Sequence, residues 1–195
     1  MSNNYANFEP IWIAENLCVC LDGVPPPPDG AVIRLRQSAV FGTGGHPATR
    51  AVLNQLIHRK VEGLRVVDFK CGTGLLGIFC SFFGAIHVVH MDDDPRAIRE
   101  AVENGMLNEC VVAFSQENTP EGIDSVDLIV TSQGRLEILK EDIKLVHNLL
   151  SPGGVIIWAG HEAKEHRVAE NILGEFFVIE TVEDINCWPV IVARK

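Results

Sequence analysis

Residues 66–74 read Val66-Val67-Asp68-Phe69-Lys70-Cys71-Gly72-Thr73-Gly74, an apolar strand that runs directly into a turn of small residues. Glycines in such a turn let the backbone approach a nucleotide and adopt angles that a side chain disfavours. Gly72 and Gly74 meet that requirement, whereas Lys70 places a long cation at the start of the turn. The stretch therefore predicts a ligand-binding turn with one unusual residue.

Strand and helix patterns alternate from residue 64 onward, which is typical of a parallel sheet covered by helices. The last two strand patterns follow each other closely, so we expect them to pair antiparallel. The predicted fold is α/β, with a mainly parallel seven-stranded sheet, an antiparallel C-terminal strand pair and helices on both faces. The predicted strands are 64–68, 86–91, 110–114, 126–131, 154–159, 176–182 and 185–193, and the predicted helices are 74–83, 95–106, 135–149 and 163–173.

The N-terminal part has a different pattern. Residues 1–30 are predicted to hold a short strand pair, within 8–21, and a stiff spacer of prolines at 25–28. Residues 31–195 are predicted to form the main domain, beginning with a strand at 31–35. A chain of 195 residues is long enough for one core and too short for two sizeable domains, so we expect a single core.

Composition restricts the class of function. With 47% hydrophobic and 22% charged residues, and no apolar run of the roughly 20 residues that cross a bilayer, we expect a globular protein without a membrane partner. No secretory signal is visible, which favours the cytoplasm. The net charge of −10 disfavours nucleic acid as a partner and favours small molecules or basic proteins. The cysteine spacing predicts buried thiols and no metal, although Cys18 and Cys20, on one strand face, leave a metal or redox role open.

Three aspartates, Asp92, Asp93 and Asp94, follow the second strand of the alternating region, about 20 residues after the turn. An acidic residue at this place accepts hydrogen bonds from the ribose of an adenosine-containing cofactor. Asp92 is our candidate, because Asp94 precedes Pro95 and is suited to cap the next helix. The alternative is a merely acidic helix start. The turn lacks the longer G-x-G-x-x-G, which makes a nucleotide-dependent oxidoreductase the less favoured enzyme.

Several segments along the chain carry a family resemblance. They are 8–11, 41–49, 68–76, 92–95, 127–130, 152–154 and Trp188, and the second contains the pattern F-G-T-G-x-H-P. With them the chain resembles the class I S-adenosylmethionine-dependent methyltransferases, and most closely the PrmA family, which methylates a protein of the large ribosomal subunit. The resemblance implies a Rossmann-like fold, S-adenosylmethionine as cofactor, and methyl transfer to a small molecule or a protein nitrogen. We expect no counterpart of the family's N-terminal substrate-recognition domain.

The resemblance also implies residue roles. Phe41 and Thr43 would close over the methionine end of the cofactor, and Asp92 would hold its ribose. Lys70 stands where the family has glycine, so its side chain must fold away, displace the cofactor or pair with the cofactor's carboxylate. The full set of implied cofactor-binding residues is Phe41, Thr43, Asp68, Lys70, Gly72, Gly74 and Asp92.

The candidate catalytic residues lie where the chain departs from the family. Where the family reads alanine-asparagine-isoleucine after the fourth strand, this chain has Thr131-Ser132-Gln133-Gly134, and Ser132 or Gln133 could partly replace the asparagine amide. His161 follows the fifth strand and could take a proton from the acceptor; alternatively, it and Glu162 simply open a solvated helix. These departures and Lys70 leave a second hypothesis open: a degenerate methyltransferase fold that serves as a binding or regulatory subunit.

Overall fold

The computed structural model describes residues 9–110, 113–115, 125–185 and 187–195. The strands are β1 (Ile11–Ala14), β2 (Leu17–Leu21), β3 (Ala31–Leu35), β4 (Arg65–Phe69), β5 (His87–Met91), β6 (Ala113–Ser115), β7 (Val126–Thr131), β8 (Leu150–Ala159), β9 (Val178–Ile185) and β10 (Trp188–Arg194). The helices are α1 (Pro47–Ile57), α2 (Leu75–Phe82), α3 (Pro95–Leu107), α4 (Leu136–Leu149) and α5 (His166–Gly174), with a 3₁₀ turn at Ala163–Glu165. Each helix in the described part of the chain falls short of the length and hydrophobicity of a membrane span.

Seven strands form one sheet in the order β6-β5-β4-β7-β8-β10-β9. The strands from β6 to β8 are parallel, whereas β10 runs antiparallel to both β8 and β9. Neighbouring residues of β4 face opposite sides, so Val66 packs in the apolar cluster that contains α1 and α2, and Val67 in the cluster that contains α4 and α5. The predicted α/β fold, with its antiparallel C-terminal pair, is confirmed.

Element boundaries differ from the prediction at three places, one of which is the connection between the last two strands, where β9 ends and β10 begins three residues later than predicted. Strand β8 begins at Leu150, earlier than the predicted 154, because Val126 and Leu150 already pair where β7 starts. The predicted helix at 163–173 begins as a 3₁₀ turn, since Glu162 and Glu165 exchange side-chain and backbone hydrogen bonds in a capping box. Part of the predicted strand at 110–114 lies outside the described residues.

Local sequence explains where the helices near the turn begin. The carboxylate of Asp94 accepts a hydrogen bond from the Arg96 amide at 2.9 Å, and Pro95 fits the first turn of α3, as predicted. Helix α2 follows Gly74, its N-cap, whose φ of 78° lies in the left-handed region, and the helix is buried from Leu75 to Cys80. The apolar character of α2 is thus explained by burial.

A smaller sheet contains the remaining strands in the order β1-β2-β3. Strands β1 and β2 are antiparallel, whereas β2 and β3 are parallel. Val19 and Ile33 of this sheet belong to the same apolar cluster as α1 and α2. The small sheet therefore shares a core with the large one.

Asn104 connects the two sheets through α3. It is fully buried, and its Oδ1 accepts a hydrogen bond from the Arg36 amide at 2.8 Å, just after β3. Its Nδ2 donates to the Thr73 carbonyl at 2.9 Å, in the turn after β4. Asn108, one helical turn later, bonds both the amide and the carbonyl of Arg34. These two amides hold the end of β3 against the turn.

We expect Asn104→Ala to lower the free energy of unfolding by about 2–4 kcal/mol, because it leaves the Arg36 amide and the Thr73 carbonyl without partners. Urea denaturation at neutral pH measures the change. Asn54→Ala, on the exposed side of α1, is the matched control and should change stability by less than about 0.5 kcal/mol. Equal effects of the two substitutions would contradict the proposed connection.

Candidate functional site

A cavity of about 510 Å³ lies beside the turn at the carboxyl edge of the parallel strands. It is lined by the loop 38–41, by Gly72 and Asp92, by the first turns of α3 and by Gln133. Its volume is within the range of roughly 300–1,000 Å³ that is typical of ligand pockets. Open α/β sheets bind their ligands at this edge, so we take this cavity, called the first cavity below, as the candidate cofactor site.

The turn itself has an unusual backbone. Lys70, Gly72 and Gly74 all have positive φ, of 54°, 55° and 78°. A Cβ atom on Gly72 would lie 2.3 Å from the Phe41 carbonyl oxygen, so only glycine fits there. Thr73 fixes the same contact, since its amide donates to the Phe41 carbonyl at 3.0 Å and its hydroxyl to the Gly42 carbonyl at 2.7 Å. The loop that lines the cavity is thereby held against the turn.

Asp92 lies in the wall of the first cavity. Its Oδ2 accepts a hydrogen bond from the Gly72 amide at 3.0 Å, and its Oδ1 accepts one from the Asp94 amide at 3.0 Å. Burial raises the pKa of Asp92 above its ordinary value, although the two backbone hydrogen bonds oppose the shift. Asp93 instead contacts Lys70, and Asp94 caps α3. The structure thus gives the three aspartates three different roles.

Asp68 lies beneath the turn and does not line the cavity. It is buried, and its Oδ2 accepts a hydrogen bond from the Gly77 amide at 2.9 Å and lies 3.0 Å from His90 Nδ1. The second oxygen of Asp68 and the Nε2 of His90 have no partner among the described residues. Sequence reasoning missed His90, whose signal was a histidine inside an apolar strand, opposite Asp68 in the parallel register.

The side chain of Lys70 is folded away from the cavity. Its Nζ lies 2.9 Å from Asp93 Oδ1, and Lys70 lines neither the first cavity nor the second cavity described next. Without a bound cofactor, the Lys70 side chain is thus directed toward Asp93. A cation therefore does not occupy the space beside Gly72.

A second cavity, of about 270 Å³, adjoins the first, because Phe41 and Gln133 line both. Its other side chains include His46, Ser132 and Trp188. The His46 ring contacts Phe41 and Trp188 edge-on, with centroid distances of 4.9 and 4.5 Å. The second cavity thus has an aromatic wall and a small number of polar groups.

Of the candidate catalytic residues, Ser132 lines the second cavity and Gln133 lines both cavities. Gln133 Nε2 donates a hydrogen bond to the Lys70 carbonyl at 2.8 Å. Ser132 is buried and its hydroxyl oxygen accepts from the Thr49 hydroxyl at 3.2 Å. Thr43, predicted to contact the cofactor, instead lines an apolar cavity of about 220 Å³ beside β1 and β2, which shares Ser38 with the first cavity.

His161 lies apart from both larger cavities. Its ring is fully buried and stacked on His166, with Nε2 at 3.4 Å from His166 Nδ1. Burial, and then the neighbouring His166, lower the pKa of His161 to about 4. Neither sequence hypothesis describes this placement fully, because His161 precedes the helical segment but is not solvated. We therefore assign it a packing role.

No group of three or more potential metal ligands occurs among the residues the structure describes. Cys18 and Cys20 are both buried, with their sulfur atoms 3.7 Å apart. Burial is the main cause that raises the pKa of Cys18 to about 11, which keeps it a thiol at neutral pH. The pair is therefore part of the packing of β2.

The buried His161 predicts a pH-dependent stability. Because folding lowers its pKa from 6.5 to about 4, the unfolded chain binds the proton more readily between these values. Above pH 6.5 His161 is neutral in both states and costs no stability. As the pH falls from 6.5 toward 4, its protonation in the unfolded chain lowers the free energy of unfolding, by about 3 kcal/mol in total. Urea denaturation of His161→Leu should lack this contribution, whereas His87→Gln, at an exposed position, should retain it. An unchanged pH slope in His161→Leu would refute the assignment.

Comparison with known proteins finds relatives along the entire chain. A family model described as ribosomal protein L11 methyltransferase (PrmA) matches residues 1–195. The ribosomal protein L11 methyltransferase of Burkholderia orbicola (strain MC0-3) is 34% identical over 200 residues, which cover 97% of this chain and 63% of that protein. The one from Photorhabdus laumondii is 30% identical over 186 residues, covering 93% and 62%. The chain thus spans less than two thirds of the length of these curated relatives.

Solved structures agree in fold. A ribosomal protein L11 methylase from Lactobacillus delbrueckii subsp. bulgaricus superposes with a TM-score of 0.83 at 26% identity, over 96% of this chain and 100% of that chain. A 16S rRNA N2 G1207 methyltransferase from T. thermophilus, solved with AdoMet and guanosine, has a TM-score of 0.64 at 22% identity, over 80% of this chain and 45% of that one, which is a likeness of fold alone. Since the family model matches all 195 residues, the chain belongs to the ribosomal protein L11 methyltransferase (PrmA) family.

Proposed function

We propose that this chain is an S-adenosylmethionine-dependent methyltransferase that acts on an amine nitrogen of a protein. The observation that carries the proposal is the contact between Asp92 and the Gly72 amide in the wall of the 510 Å³ cavity. Each Asp92 oxygen holds one backbone amide and keeps a lone pair for a ribose hydroxyl. Membership of a methyltransferase family supports this cofactor here.

The residues around the first cavity fit this cofactor. Val40, Phe41 and Ala97 offer apolar surface to a planar base, and Asp92 offers acceptors to the ribose. Gly72 leaves the backbone accessible, and the Lys70 ammonium is held elsewhere. When bound, S-adenosylmethionine supplies a methyl group that its sulfonium ion already activates. The task left to the protein is to align donor and acceptor and to exclude water.

The second cavity is the proposed acceptor site. Gln133 donates one amide hydrogen to the Lys70 carbonyl, and this hydrogen bond orients the Gln133 side chain. The side-chain oxygen of Gln133 remains able to accept a hydrogen bond from an amine. Phe41 and Trp188 give the cavity aromatic surface, which suits the chain of a primary amine and the charge of a methylated product. Ser132 and Arg135 add polar lining; the Ser132 hydroxyl already accepts a hydrogen bond from Thr49, and the positive charge of Arg135 favours a neutral amine over an ammonium ion here.

A basic protein is the acceptor we favour over a small molecule. The relatives are named for ribosomal protein L11, and the net charge of −10 attracts positively charged surfaces. The sequence left a small-molecule acceptor open, but no relative named above points to one.

All six cysteines are free, in keeping with a reducing cytoplasm as the place of reaction.

Asp92→Ala should weaken binding of S-adenosylmethionine by roughly 10–100-fold, because a charged group that accepts several hydrogen bonds is lost. Isothermal titration calorimetry with S-adenosylhomocysteine, which has no methyl group to transfer, gives the comparison. Asp22→Ala, at an exposed position away from the cavity, is the control and should bind like the unaltered protein. Absence of any binding by the unaltered protein at millimolar ligand would refute the proposed function.

Gln133→Ala should lower kcat by roughly tenfold or more with ribosomal protein L11 as acceptor, because the hydrogen bond that positions the amine is removed. The Kd for S-adenosylhomocysteine should change much less, since the base and ribose contacts remain. Gln55→Ala, on α1 and outside both cavities, controls for the loss of an amide. A kcat equal to that of the unaltered protein would exclude Gln133 from acceptor positioning.

A further inference from the structure

Lys70 occupies a position that disfavours a side chain. Its φ of 54° lies in the left-handed region, which costs an L-residue about 1–2 kcal/mol relative to glycine. The next residue but one, Gly72, has the same φ without that cost. An interaction of the Lys70 side chain or backbone must offset the strain.

The ammonium group of Lys70 is placed between two carboxylates from different elements. Its Nζ lies 2.9 Å from Asp93 Oδ1, in the connection between β5 and α3, and 3.9 Å from Asp142 Oδ2, on α4. The Lys70 and Asp142 side chains are only 16% and 15% exposed, so solvent screens this part of the cluster weakly. The ammonium also lies 5.6 Å from the centre of the Phe69 ring.

The backbone of Lys70 makes a second connection. Its carbonyl oxygen accepts the hydrogen bond from Gln133 Nε2 at 2.8 Å. Lys70 thus makes two contacts. Its ammonium contacts Asp93, the neighbour of Asp92, and its carbonyl contacts Gln133, which lines both cavities.

We propose that Lys70 is a positioning residue that couples the two cavities, its ammonium fixing the Asp93–Asp142 cluster and its carbonyl fixing Gln133. The inference rests on the proposed function, since it concerns where cofactor and acceptor are held. Lys70 does not touch either ligand in this arrangement. Its effect reaches the cofactor through Asp92 and the acceptor through Gln133.

The charge of Lys70 also acts on Asp92 at a distance. Burial raises the pKa of Asp92, and the hydrogen bonds from the Gly72 and Asp94 amides lower it; the smaller effects of Asp93 and Lys70 raise and lower it respectively. Cys71 also faces Asp92, but burial holds the pKa of its thiol well above the ordinary value, so it stays uncharged. Removal of the ammonium should therefore extend protonation of Asp92 to higher pH, where ribose binding would be lost earlier during acidification.

The test is Lys70→Met, which keeps the stem and the left-handed backbone but removes the charge. Calorimetry should show the Kd for S-adenosylhomocysteine raised about fivefold at neutral pH, with the acid limb of the binding curve moved to higher pH. Lys70→Arg, which retains the charge, should stay within about twofold of the unaltered protein. Lys164→Met removes an exposed lysine paired with Glu162 at 2.7 Å and should change neither quantity.

The same cluster is tested from its other side by Asp142→Asn, which leaves the turn intact if Lys70→Met fails to fold. It should weaken binding in the same direction, and the double variant should be no weaker than the more affected single variant. A Kd and pH profile unchanged in both single variants, even with reduced stability, would overturn the inference while leaving the proposed function standing. Failure of the unaltered protein to bind would instead overturn the proposed function and this inference with it.

Discussion

The close approach of the turn at Gly72 to its neighbours is the constraint on which the rest of the site depends. A Cβ atom there would lie 2.3 Å from the Phe41 carbonyl and 3.0 Å from Gln133 Nε2. The same two residues, Phe41 and Gln133, line both cavities. Phe41 and the Gln133 side chain pack directly against Gly72, which has no side chain. This packing therefore determines where the proposed donor and acceptor cavities meet.

Carboxylates hold this turn in place from two strands. Asp68 reaches the Gly77 amide at the start of α2, and Asp92 reaches the Gly72 amide. Free amides at a helix start and in a turn carry partial positive charge, so an anion stabilises both. The burial of Asp68 leaves one of its oxygens without a partner among the described residues, a cost that His90 offsets in part. Asp92 combines this structural bond with a place in the cavity wall.

The hydrophobic periodicity and the helix-capping residues predicted the fold, because both depend only on residues that are close in the sequence. The alternation of strands and helices predicted the sheet, and Asp94-Pro95 predicted the start of α3. The contacts that complete the site join distant segments. Asn104 bonds Arg36 across 68 positions, and Gln133 bonds Lys70 across 63. Such pairs depend on which strands become neighbours in the folded sheet, and a local sequence pattern does not contain that information. The direction of the Lys70 side chain could therefore not be predicted from the sequence.

Departures from a family pattern at a reactive site are easier to tolerate in methyl transfer than in acid–base catalysis. Alignment supplies most of what the proposed reaction needs, so the position of a group matters more than its identity. Lys70 meets that demand with its carbonyl, which any residue could provide, and its ammonium adds a contact to Asp93 that glycine cannot make. Backbone strain of about 1–2 kcal/mol is of the same order as the solvent-exposed ion pair with Asp93 and the longer, more buried contact with Asp142 taken together. A lysine in place of glycine is therefore compatible with an open cavity and an ordered turn.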